Sequence, residues 1–218
     1  MRISVLCSDS NHPVYAKLAE WVASRNGDHL TELVNISTSL SGGDILFLIS
    51  CHEIIGREIR DRYGATLVVH ASDLPNGRGW SPHIWQILAG ENRIVVTLLE
   101  AADIPDTGDT WAQEIVLFAG HELCDEIYSK LFAAELRLMD WAVEHYGDVQ
   151  PQPQPVGMAT YFRKRTPADS RLHPEMSLAE QFNLLRVADS ARFPAFFDFR
   201  GYRYYVTVTK QGIPGEGD

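Results

Sequence analysis

The chain is poor in cysteine and in basic charge. Its three cysteines, Cys7, Cys51 and Cys124, form neither an even framework nor a C-x-x-C pair, so disulfide scaffolds and zinc ribbons are excluded and buried free thiols are expected. Nineteen Lys and Arg stand against 29 Asp and Glu, a formal charge of −10. With no long Lys/Arg block, the footprint for tracking a phosphate backbone is missing, and nucleic acid is not an expected partner. No apolar run approaches the ~18 residues of a membrane span, and the run at residues 3–7 is too short for a signal peptide, so no membrane association and a cytoplasmic location are expected. No G-x-S-x-G elbow and no P-loop occur. Gly77-Arg78-Gly79 opens like a dinucleotide fingerprint, but Pro82 occupies the third glycine's place; His121-Glu122 opens like a zincin helix, but Asp125 replaces the second His. Neither a dinucleotide nor a metal site is therefore expected.

What is present suffices for one packed core: 218 residues, 45% of them hydrophobic and 10% aromatic, which disordered and fibrous chains lack. Apolar runs alternate with helix-like stretches, as in an α/β sheet covered on both faces. Strands are expected at 3–7, 44–50, 65–69 (ending at His70), 93–99 and 111–118. Helices are expected at 15–23, 53–63, from Ser81-Pro82 to Gly90, and at 122–145. The Gln/Pro stretch 150–155 reads as a linker, giving units at 1–149, 150–157 and 158–218. The last carries a short helix at 178–187 and a hairpin of 195–199 with 202–209 around Arg200-Gly201. Its crowd of aromatics, Phe193, Phe196, Phe197, Phe199, Tyr202, Tyr204 and Tyr205, exceeds what one face of a small ribbon can bury, and a homodimer through this hairpin is expected.

Ligands of open α/β sheets sit at the carboxyl ends of strands, which draws attention to residues 8–11, 51–55 and 70 onward. A His at a strand end, a hydroxyl at Ser72 and an acidic loop at 103–109 would bring imidazole and carboxylate together. Ser8, Ser10 and Asn11 lie at a helix start, where a phosphate or a simple cap fits. The run Arg163 to Arg165 reads as a solvated face rather than an anion clamp.

The wording His70-Ala71-Ser72-Asp73-Leu74-Pro75, then Gly77-Arg78-Gly79-Trp80-Ser81-Pro82, Trp85 and Asp106-Thr107-Gly108-Asp109 resembles the core of the 10-formyltetrahydrofolate-dependent formyltransferases. Arg163-Lys164-Arg165-Thr166-Pro167-Ala168-Asp169 and Arg192-Phe193-Pro194-Ala195-Phe196-Phe197 resemble segments of nucleotide-sugar N-formyltransferases of the kind acting on UDP-linked amino sugars in pseudaminic acid synthesis. The resemblance implies a Rossmann-like formyltransferase fold, mostly parallel, with a small helix and β-hairpin appendage. It implies N10-formyltetrahydrofolate as co-substrate, a nucleotide-linked amino sugar as acceptor, His70, Asp106 and Ser72 as catalytic residues, and Asp106 paired with the imidazole. Cys51, His52, Glu53, Ile54, Ile55, Ala102, Asp103 and Ile104 would line the pterin pocket; Ser8, Ser10, Asn11, Arg78 and Trp80 would meet the acceptor.

One position departs from the family. Two residues before the catalytic His the family carries Asn, whose amide holds the formyl oxygen, whereas this chain has Val68. Losing one such donor costs ~10² to 10³ in rate, so His70, Ser72 or a backbone N–H is expected to take its place. Hydrolysis of the folate by water, formylation of another amine such as glycinamide ribonucleotide, and a folate-binding relative without turnover are the alternatives. The first loop lacks the glycine-rich phosphate turn of the glycinamide ribonucleotide enzymes, and the C-terminal part is neither long nor basic enough to match the tRNA-binding domain of the methionyl-tRNA enzymes.

Overall fold

A computed structural model describes residues 1–212. In chain order its elements are β1 (Arg2–Leu6), α1 (Tyr15–Arg25), β2 (Leu30–Val34), β3 (Gly43–Leu48), α2 (Arg57–Arg60), β4 (Tyr63–His70), β5 (Arg78–Gly79), α3 (Pro82–Leu88), β6 (Arg93–Glu100), β7 (Thr110–Leu117), α4 (Cys124–Glu144), β8 (Tyr161–Phe162), α5 (Phe182–Arg186), β9 (Ala195–Phe199) and β10 (Tyr202–Val206).

Six strands form the central sheet in the order β2-β1-β3-β4-β6-β7. The first four run parallel, while β6 and β7 are antiparallel to their neighbours. The expected mostly parallel, doubly covered sheet is thus present. Because successive strand residues point to opposite faces, Ile3, Val5, Ile45, Phe47 and Leu67 pack under Leu18 and Trp21 of α1, Ile84 and Ile87 of α3, and Ile127 and Leu131 of α4. The alternate residues Leu6, Leu46, Leu48 and Val68 face Leu40, Ile55 and Ile59.

Two expected helices are shorter in the structure. The stretch 53–63 is helical only over Arg57–Arg60, because Glu53 turns back to accept from the backbone N–H (3.2 Å) and hydroxyl of Ser37, a local side-chain bond that competes with helix formation. The helix at 178–187 shrinks to Phe182–Arg186, since Gln181 donates its side-chain amide to the carbonyls of His173 and Met176. The hairpin's second strand ends at Val206. β2 was not expected: as an edge strand with its residues half-exposed it lacks a clean alternation.

The segment after residue 155 is tied back to the sheet domain by several contacts, among them a strand pairing and a buried arginine. β5 pairs with β8 in parallel. Arg186, 1% exposed, reaches from α5 to donate to the Glu122 carbonyl (3.2 Å) and the Asn92 side chain (3.2 Å), beside the Glu122 carboxylate. Residues 213–218, the end of the expected appendage, lie outside the described residues.

Candidate active site

β4 ends in His70, which is 7% exposed. Alternation along the strand puts Val68 on the same face, so an apolar side chain lines the cavity beside the imidazole. Nε2 lies 2.9 Å from the carbonyl of Gly77; a carbonyl only accepts, so this nitrogen carries a hydrogen. Nδ1 faces Asp106 Oδ1 at 3.6 Å, a charge contact too long for a hydrogen bond. A protonated ring satisfies both partners, a neutral one only Gly77. Asp106 itself sits at φ +59°, a left-handed conformation that Asp tolerates better than most residues, and its Oδ2 accepts the Gly79 N–H at 2.8 Å. Gln154 fixes this loop from behind by donating to the carbonyls of Asp106 (2.9 Å) and Gly108 (3.0 Å).

These groups stand at a cavity of about 360 Å³, within the size range of small-molecule sites. Of the residues expected to bind cofactor or acceptor, Cys51, His52, Glu53, Ile54, Ile55, Ala102, Asp103 and Trp80 line it, together with His70 and Asp106. Arg60 holds the 101–103 side by donating to the Ala101 carbonyl (2.8 Å) and pairing with Asp103, which Arg57 also contacts; the two guanidiniums keep the Asp103 carboxyl below its usual range. Trp80 lies against the His52 ring (5.2 Å between centres) and the Lys164 ammonium (4.5 Å).

The remaining expected residues lie outside the cavity lining. Ser8 Oγ accepts the His52 N–H (3.1 Å) and contacts Cys51 Sγ (3.4 Å), bracing the 51–52 turn. Asn11 donates its N–H to Asp9, and Ser10 is exposed. Arg78 is held by Gln154 (2.7 Å) and Tyr161 (3.3 Å). Ser72 is buried under the Gly77 turn with its Oγ unpaired among the described residues. Ile104 is 64% exposed.

The structure adds an inner chamber built by His12, His83, Tyr128, Phe132 and Glu135, closed by Arg165, Arg192 and Phe193. Burial pushes His12 down to about 4 and His83 to about 3, and pushes the Glu135 carboxyl up to about 8. Glu135 Oε2 and His83 Nε2 are buried without partners among the described residues, leaving an unsatisfied polar atom on each. The sequence held one signal: Tyr128, Phe132 and Glu135 fall at i, i+4 and i+7 of α4, placing an acid within an apolar stripe. Arg165 overturns the solvated-face reading, since it is 6% exposed; only Arg163 and Lys164 of that run face solvent. Among the described residues no group of three or more His, Cys, Asp or Glu could hold a metal ion, and no helix is long and apolar enough to cross a membrane.

A carboxylate-backed imidazole at the end of a strand, opening on a small-molecule cavity, is the arrangement of an α/β enzyme that works by acid–base chemistry. Residues 5–143 match the formyl transferase family model, and the chain belongs to that family. Among solved structures, it is similar to the methionyl-tRNA formyltransferase from Clostridium thermocellum (20% identity, TM-score 0.82, covering 97% of this chain and 94% of that one). It is similar to a sugar N-formyltransferase from Shewanella sp. (15%, TM-score 0.71, 98% and 99%). It also resembles HypX from Aquifex aeolicus, solved with tetrahydrofolic acid (23%, TM-score 0.72), where it spans 99% of itself but only 40% of that chain.

Proposed function

We propose that this formyltransferase moves a formyl group from N10-formyltetrahydrofolate to the amino group of a nucleotide-linked amino sugar, of the UDP-linked kind. The observation that carries the reading is the His70–Asp106 pair beside the cavity, within the family's own motif wording. Tetrahydrofolic acid in the HypX structure supports folate as donor, and the Shewanella enzyme supports a sugar acceptor. The length of the chain does not argue against a tRNA acceptor, since it covers 94% of the methionyl-tRNA enzyme; its charge of −10 does.

In this reading the acceptor nitrogen, as neutral amine, forms the new C–N bond, the formyl carbon passes through a tetrahedral oxyanion, and its bond to N10 breaks. One proton leaves the attacking nitrogen and ends on N10. His70 Nδ1, the ring nitrogen not engaged by Gly77, carries it, and Asp106 stabilises the charged ring in transit. Residues 51–55 and 102–104 hold the pterin, with Ile54 and Ile104 as exposed apolar lips. Val68 gives the oxyanion no donor and Ser72 is buried away from the cavity lining, so that task falls to the protonated imidazole or a backbone N–H. We place the enzyme in the cytoplasm, divided into a catalytic unit at 1–149, a linker at 150–157 and an appendage at 158–218, and assembled as a homodimer.

The test is incubation with N10-formyltetrahydrofolate and a panel of UDP-linked amino sugars, following tetrahydrofolate release and the formamide product. Release that needs the amine supports the proposal. Equal release without any amine establishes a hydrolase, and no release with tight folate binding establishes a binding protein.

A further inference from the structure

The inner wall of the cavity carries a cation that makes no close ion pair among the described residues, the carboxylates of Asp169 and Asp189 acting on it only from a distance. Arg165 is 6% exposed, yet its hydrogen bonds go to two neutral oxygens, the Val187 carbonyl at 3.4 Å and Ser170 Oγ at 3.0 Å. Its Nε has no partner among the described residues, and its guanidinium lies 5.0 Å from the centre of the Phe193 ring. A buried charge costs several kcal/mol unless it is paired, and Arg186, the other deeply buried Arg, has Glu122 beside it.

The carboxylates around the cavity are otherwise engaged. Asp103 belongs to Arg57 and Arg60, Glu53 to Ser37, and Asp106 to Gly79 and His70. Glu135 makes no ion pair among the described residues, and its burial favours the neutral acid. A second guanidinium, Arg192, lines the same cavity; its one ionic contact among the described residues is Asp9 at 3.5 Å, and its side chain is 29% exposed. In a chain of net charge −10, two guanidiniums line the same cavity as His70.

We infer that Arg165 and Arg192 form an anion subsite, and that the acceptor carries a phosphate or diphosphate group which seats there while its amine faces His70. The inference rests on the proposed transfer to a nucleotide-linked amine and locates the charged half of that acceptor. Arg165 is held in a fixed position by Ser170, Val187 and Phe193, with its Nε–H buried and unpartnered among the described residues, so little side-chain entropy is lost when the guanidinium meets an anion. Arg192, partly exposed, closes from the rim. The folate's glutamate is the other possible source of such an anion, and the two sources separate kinetically.

Inorganic pyrophosphate at about 10 mM, against sodium chloride of equal ionic strength, is expected to raise the melting temperature of the intact chain, because a ligand that binds only the folded state stabilises it. The gain should fall by more than half in Arg192→Met and in Arg165→Lys, and persist in Lys164→Met at the outer rim. Steady-state kinetics of Arg192→Met should show acceptor KM raised about tenfold or more with folate KM unchanged, as for loss of a charge-assisted contact. If Arg165→Lys fails to fold by circular dichroism, Arg192→Met decides alone. No pyrophosphate gain, a gain untouched in Arg192→Met, a gain lost in Lys164→Met, or a rise in folate KM instead of acceptor KM would each overturn the subsite. The melting experiment needs no turnover, so its outcome is independent of whether the amine reaction itself is found.

Discussion

His70 and Asp106 are held by contacts that do not depend on each other: Nε2 by the Gly77 carbonyl, the carboxylate by the Gly79 N–H. Replacing either by Asn should therefore leave the cavity in place and remove only proton transfer and charge stabilisation. We expect kcat to fall by at least ~10²-fold with folate affinity within a few-fold of wild type; near-normal turnover of His70→Asn would take the imidazole out of the chemistry. Glu135 gives a second test through stability. Its carboxyl has an ordinary value of 4.5, raised by burial to about 8 in the fold. Between these values the folded chain keeps a proton that the unfolded chain releases, so stability falls as pH rises from about 4.5 to 8. His12 and His83, whose ordinary value of 6.5 is lowered by burial, act on the acid side: the unfolded chain takes protons that the fold refuses, and stability falls as pH drops below about 6.5. The difference between wild type and Glu135→Gln isolates the carboxyl. Chemical denaturation at pH 5.5 and 8.5 should show the variant gaining on wild type toward high pH by on the order of 2 kcal/mol, after discounting for solvent in the cavity. A pH-independent difference would mean that the acid is not buried in solution.

At the level of elements, the β5–β8 pairing connects the turn that braces Asp106 to the chain's last third. Gly79 sits at φ +97°, and a Cβ there would collide with the Phe162 carbonyl, which itself accepts the Trp80 N–H at 3.0 Å. Gly147 has the same φ of +97° but open space around it. Gly147→Ala should cost the ~1 to 2 kcal/mol of left-handed backbone alone, while Gly79→Ala should cost clearly more by denaturant unfolding and also lower kcat/KM, because the Asp106 brace shifts with the turn. Equal losses in the two variants would show that the β5–β8 approach is soft. The elements differ in how far the sequence revealed them. α1 and α4 carry complete apolar stripes, and β3, β4 and β6 are apolar on both faces, so period and composition found them. α2 and α5 came out short because Glu53 and Gln181 make local bonds that no periodicity encodes, and β2 escaped because half-exposed edge residues carry little pattern. At the site, motif wording reached His70 and Asp106, which stand near one another in a dense stretch of chain. His12, His83, Glu135, Arg165 and Arg192 come from five separate segments, and only the fold brings them to one chamber.

On the scale of the whole molecule, the proposed homodimer rests on the hairpin. Opposite residues of an antiparallel pair share a face, and the register sets Tyr202 against Phe199, Tyr204 against Phe197 and Val206 against Ala195. The Ala195 end of this face packs with Leu172 and Leu185, but toward the turn the aromatics emerge: Phe199 is 45%, Tyr202 70% and Tyr204 45% exposed, with Tyr205 at 66% on the opposite face. Aromatics in such density are what interface cores use, and a patch meeting its own copy about a two-fold axis is self-complementary without further design. A stable dimer buries upward of ~1,000 Å² in total, more than these four rings supply, so the flanking strand surface must take part. We expect light scattering to report a dimer of the 24.5 kDa chain at micromolar concentration, and Tyr202→Glu with Tyr204→Glu to yield a folded monomer. Phe197 is unsuitable for this test because it packs against the appendage core and its loss would confound folding with assembly. A wild-type monomer would remove the dimer altogether, whereas a dimer indifferent to both tyrosine variants would remove only the hairpin from its interface.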